Sequence, residues 1–174
     1  QVLAVKENRS SKNAYFKLTS SLSPYPFPVL TSSVFFNIYD NQQWNFSVRL
    51  KPNTYPLTKI VSASATDYDS YVTASSYEVI FQGINTLSTR AQNKFTITGS
   101  MTSGSAREFL GAAKRLYVGA QRTNLTGALV NPSDVVVTNT KYYARYIEDN
   151  DLLQHALDIE NVAISGSSRF LSPL

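Results

Sequence analysis

Nine residues, "WNFSVRLKP" (44 to 52), constrain the fold of this chain more than any other stretch. Trp44, Phe46, Val48 and Leu50 alternate with Asn45, Ser47, Arg49 and Lys51, a period of two that puts one set on each face of an extended strand. A helix cannot use this pattern, because its apolar groups must recur at three and four residues to share a face. A β-strand with one apolar and one polar face uses it directly.

Strand chemistry recurs along the chain. The first residues, "QVLAVKENRSSKNAYF", are strand-like almost from Gln1. Candidates follow at "SVFFNIYD" (33 to 40), joined to the strand at 44 to 52 by a turn at Asn41, Gln42 and Gln43, and at 58 to 65 and "SYEVIFQG" (76 to 83). The last three are "KFTITGSM" (94 to 101), "RLYVGA" (115 to 120) and "SDVVVTNTKYYARYI" (133 to 147). Separators rich in Gly, Asn and Pro give the spacing of a two-sheet antiparallel sandwich or jelly roll. The 11 Tyr, 9 Phe and abundant Ser and Thr suit pleated, half-buried surfaces, so the expected class is all-β.

Two short helices interrupt the pattern and are expected at a sheet edge. In "SAREFLGAA" (105 to 113), Ser105 and Glu108 stand at capping-box spacing, with Phe109 and Leu110 toward the core. In "EDNDLLQHALD" (148 to 158), acids occupy the first turn and Leu152, Leu153, Ala156 and Leu157 form a stripe. The segment 20 to 33 carries Pro24, Pro26 and Pro28, which remove three donors and impose an irregular, extended path. With 174 residues, the chain reads as one domain from 1 to 174, ending in the helix and tail 148 to 174. Gln1 in place of an initiator Met suggests a processed product or a portion of something longer.

Charge and composition narrow the function. The net charge of +4 comes from Lys and Arg spread from Lys6 to Arg169 without a block, which argues against specific nucleic-acid binding. The absence of Cys removes thiol catalysis and Cys-ligated metal sites. The chain contains no apolar run long enough for a transmembrane helix. His155 is the one histidine, so a Ser-His-Asp arrangement could use no other, and its place on the last helix reads as that of a partly buried helix residue. No Gly-x-Ser-x-Gly elbow is present.

Glycosidase chemistry needs two carboxylates across the bound sugar. The close acidic groups are Asp67 with Asp69, the set Glu148, Asp149 and Asp151, and Asp158 with Glu160. The latter two cap or follow a helix. Asp67 and Asp69 form a weak candidate for calcium, which accepts flexible oxygen sets; no other cofactor is indicated. Tyr68, Asp69 and Tyr71 form a candidate ligand surface, since tyrosine combines a rigid apolar ring with a polar tip.

"KRLYVGAQRTNLTGALVNPSDVVV" (114 to 137) suggests a phosphate loop, but Gly119 and Gly127 are eight residues apart and no Gly-Lys-Ser/Thr follows. It reads instead as strand, loop and strand, with Gly119 at a bulge or close backbone approach. Arg122 and Asn124, at the loop tip, are the remaining candidates for touching a partner.

The order of elements resembles the laminin-G-like, concanavalin A-like jelly-roll family. "WNFSVRLKP" is similar to an early strand of those modules, and "LYVGAQRTNLTG", "DVVVTNTKYYARYI" and "EDNDLLQHALD" follow in the order of their C-terminal half. The resemblance implies two packed antiparallel sheets and a non-catalytic role: an attachment or assembly domain of a larger virion or extracellular protein. Its partners would be proteins, further copies of itself or carbohydrate. The alternatives are a carbohydrate-active enzyme on the acidic pairs and a self-assembling capsid-type jelly roll.

Overall fold

The alternation of 44 to 52 becomes strand β4 (Gln43–Pro52), and it pairs along its whole length with β5 (Ser76–Leu87), from Gln43 opposite Thr86 to Pro52 opposite Tyr77. β6 (Arg90–Thr102) completes an antiparallel sheet in the order β4-β5-β6. The computed structural model describes residues 1–20, 26–53, 76–113, 116–122, 126–130, 132–133 and 135–165. A second sheet holds β1 (Val2–Lys6), β2 (Ala14–Leu18) and β3 (Leu30–Phe35), also antiparallel and in chain order.

The two sheets share one aromatic core, which makes the architecture β-rich and sandwich-like. Phe16 on β2 lies 4.6 Å from Trp44, 4.7 Å from Phe46 and 5.6 Å from Phe95 between ring centroids. Phe35 adds contacts at 4.9 Å to Trp44 and 5.7 Å to Phe95. Each such pair contributes about 0.5–1.5 kcal/mol beyond the area it buries. Gly99 on β6 lets β3 approach: a Cβ there would stand 2.8 Å from Pro28 and 3.0 Å from Leu30.

β5 is the central strand, and residues 79–86 are buried on both faces. Val79 and Phe81 face the aromatic core, while Ile80, Gln82 and Ile84 point the other way. That second face is covered by α2 (Asp149–Leu157), which packs across all three strands of the sheet. The expected position at a sheet edge is therefore corrected for this helix. Its buried side includes Asp151, Leu152, His155 and Ala156. Leu152 and Ala156 supply the expected apolar contact, and the two polar side chains are held by hydrogen bonds.

Other boundaries differ for identifiable reasons. β3 runs from Leu30 to Phe35 and not over 33 to 40, because residues 36–41 form a turn in which Asn37 and Asn41 take φ of 55° and 52°. Asn tolerates that left-handed region better than most residues. α1 (Ser103–Gly111) starts earlier than expected: the cap is Thr102, whose hydroxyl accepts the Ser105 N–H at 3.2 Å, so Ser105 lies inside the first turn. Phe109 packs edge-on to Phe27 at 6.2 Å, whereas Leu110 is half exposed.

The strands expected at 115–120 and 133–147 do not form among the described residues. In their place stands a two-residue ladder between β7 (Gln121–Arg122) and β8 (Leu129–Val130). β propensity reflects packing on a pleated surface, and among the described residues no third strand joins β7 and β8. The strand expected at 58 to 65 lies outside the described residues. No helix among them is long and apolar enough to cross a membrane.

Candidate functional site

In the stretch that first suggested a ligand grip, the described residues around Gly119 set exposed apolar side chains beside a backbone clamp. Gly119 takes φ of +74°, and its carbonyl accepts two hydrogen bonds from Ser133, from the backbone N–H at 2.7 Å and from Oγ at 3.0 Å. A side chain at Gly119 would be strained by that φ and would meet the Ser133 carbonyl at 3.3 Å. This clamp brings Val118 and Val135 to the wall of one open hollow of about 520 Å³, with Ala120 and Pro132.

The side chains around the clamp point outward. Leu116 is 70% exposed and Val136 94%, with Val118, Leu129, Val135 and Val137 each about half exposed. Single exposed apolar residues are ordinary on a protein surface; here these six fall within the described residues of 116–137. Gln1 anchors the face to the first sheet, its side-chain Nε2 donating to Gln121 Oε1.

Arg122 lies at the start of the small hairpin, and its Nη1 donates to the Gly127 carbonyl at 3.1 Å, closing the loop. Its guanidinium is thus tied to the loop backbone. Asn124, Tyr68, Asp69, Tyr71 and the calcium candidates Asp67 and Asp69 lie outside the described residues. Among the described residues no group of three or more His, Asp or Glu side chains could hold a metal ion.

The ionisable side chains of α2 are engaged in holding the fold. Arg49 is almost wholly buried: Nη2 pairs with Asp149 Oδ1 at 2.7 Å, and Nη1 donates to the Ile147 carbonyl at 2.8 Å and the Tyr146 hydroxyl at 3.2 Å. Gln82 accepts from Nη2 at 3.4 Å and donates to Thr96 Oγ1 at 3.2 Å. Lys94 stands 3.6 Å from the other Asp149 oxygen. Partial burial pushes the Asp149 carboxyl up, but the hydrogen bonds and positive charges of Arg49 and Lys94 outweigh it and hold the group below the ordinary aspartate value.

Two residues further on, Asp151 accepts from both the backbone N–H of Ser165 at 3.1 Å and its hydroxyl at 2.5 Å. His155, only 3% exposed, stacks on Tyr143 and shares a 2.7 Å hydrogen bond between Nε2 and the Ala163 carbonyl. Lys141 donates to Asn161 O and Asn139 to Ile159 O. Side chains therefore grip the returning segment at residues 159, 161, 163 and 165. Among the described residues Ser165 bonds to the carboxylate and the imidazole to a carbonyl, and no serine hydroxyl is hydrogen-bonded to His155.

Sequence reasoning located His155 on its helix but missed both the burial of Arg49 and the apolar face. The sequence signal for the face was the Val135, Val136, Val137 run, which read as a strand. Comparisons with protein-family models, curated proteins and solved structures find no match to this chain.

Proposed function

We propose that this chain is a non-catalytic attachment or assembly module of a larger virion or extracellular protein, built as a concanavalin A-like jelly roll. Two antiparallel sheets on a common core, with a helix late in the chain, support the fold reading. The observation that carries the function is the apolar face of Leu116, Val118 and Val135 to Val137, held in place by the Ser133 to Gly119 clamp. The partner such a face fits is a protein surface of the same character, with a second copy of the chain as the simplest case.

Sedimentation velocity over a concentration series tests this directly. Reversible self-association that Val136→Ser abolishes supports the reading. A glycan array with and without calcium tests the carbohydrate branch, and release of reducing ends from any polysaccharide on a panel overturns the non-catalytic reading.

A further inference from the structure

The opposite end of the sandwich carries a second surface of different chemistry. The Gly119 face is tied to Gln1, at the start of β1, whereas the loops considered now lie at the Lys6 end. Three connections meet there: residues 7–13 between β1 and β2, 36–42 between β3 and β4, and 88–89 between β5 and β6. Their proximity is fixed by contacts. Lys6 Nζ sits 4.3 Å above the Tyr39 ring, Lys12 pairs with Asp40 at 2.9 Å, and the Asn37 N–H donates to Asn13 Oδ1 at 3.2 Å. Asn85 donates to the Gln43 carbonyl at 2.9 Å, which places the β5–β6 turn at the same end.

This end exposes Phe36 (71%), Leu87 (66%) and Tyr39 (46%). Phe36 and Leu87 have no polar group to satisfy, so their exposure serves no hydrogen bonding. Within the loops Arg9 and Lys12 balance Glu7 and Asp40, and the flanking strand ends, Lys6 of β1 and Arg90 of β6, give this end a surplus of two positive charges. Arg9 and Arg90 make no ion pair among the described residues. Exposed apolar groups at an end with a positive surplus fit a surface that is apolar beneath and negative above.

We infer that the Phe36 and Leu87 loop end docks on an anionic phospholipid membrane surface, the two side chains entering the headgroup boundary and Arg9 and Arg90 facing the lipid phosphates. Tyr39, amphipathic and braced by Lys6, suits the interface level. The inference adds a membrane partner to the module proposed above and rests on the reading of the chain as a binding module.

The test is flotation of the full chain with phosphatidylcholine vesicles with and without 30% phosphatidylserine. Binding at least tenfold stronger with phosphatidylserine is expected, and at least fivefold weaker for the Phe36→Ser, Leu87→Ser double variant at unchanged thermal midpoint. A basic protein held by charge alone would bind equally with both serines in place, and that result overturns the inference, as does absence of binding by the parent chain. Should the double variant fail to fold, Phe36→Trp decides: quenching of its emission by brominated acyl chains supports insertion, and no quenching refutes it. Val136→Ser alters the Gly119 face and leaves this end intact, so the two proposals fail separately.

Discussion

Arg49 Nη2 stands 2.7 Å from Asp149 Oδ1, and this contact ties the most regular strand of the chain to the first turn of the helix behind it. The pair is asymmetric. The Arg49 side chain is 4% exposed and Asp149 53%, so removing the carboxylate leaves a guanidinium in the interior with no counter-ion. Asp149→Ala is expected to cost about 2 kcal/mol, below the ~3–5 kcal/mol of a fully buried pair because water already reaches Asp149. Urea denaturation at neutral pH measures it.

The same pair sets an acid dependence. The Asp149 carboxyl is held below its ordinary value in the folded chain, so the folded state binds this proton less readily than the unfolded one. Its contribution is therefore full above the unfolded value of about 4 and is lost as pH falls through the lower folded value. Asp149→Asn is expected to flatten the stability profile below about pH 4 and to leave its shape unchanged near pH 7. Parallel urea titrations at pH 3 and pH 6 compare the two.

Gly83 is required by its neighbour. A Cβ at this position would stand 2.3 Å from Phe95 Cε1 and 2.7 Å from Cζ. Phe95 cannot retreat freely, being packed against Phe16, Phe35 and Phe81. Gly83→Ala is thus expected to destabilise by about 2–3 kcal/mol, as overpacking in a filled core does. The measurement is a chemical denaturation midpoint at constant slope.

The returning segment 158–165 is gripped by side chains at alternate residues, so its loss should be local. Asp151→Asn removes the charged acceptor of the Ser165 N–H and hydroxyl. Hydrogen exchange at the Ser165 amide is expected to quicken about tenfold or more, while amides of β5 keep their protection. Equal loosening of both would show that the segment is integral to the core.

Val136 touches little that holds the fold, and Val136→Ser should leave stability within about 0.5 kcal/mol. A larger loss, read from a thermal melt, would mean that the apolar face is packed in solution and unavailable to a partner.

The sequence pattern gave the right face to every residue of β4, yet it implied a wet polar face. Arg49 shows why that fails: a strand's two faces alternate by geometry, but which layer covers each depends on elements far along the chain, here residues 146 to 149. The hairpin of β5 and β6 ran longer than expected because its turn is made at Ser88, with φ of 55°, and not at an Asn-Gly or Asp-Gly pair. Conversely, 133 to 147 has strong strand propensity and forms no strand among the described residues. Of the candidate site residues only Arg122 falls where the structure can be described, and there it closes its own loop. The apolar face and the loop end carrying Phe36 were not legible, since exposure is a property of what fails to cover a side chain.

β5 belongs to two layers at once. Val79 and Phe81 serve the aromatic core between the sheets, and Ile80 and Gln82 serve the helix side, so neither layer can melt without stripping the other of the strand they share. Heat or denaturant should therefore meet a single cooperative unit here, with Trp44 fluorescence reporting on the inter-sheet core and far-ultraviolet dichroism on α2 giving coincident transitions.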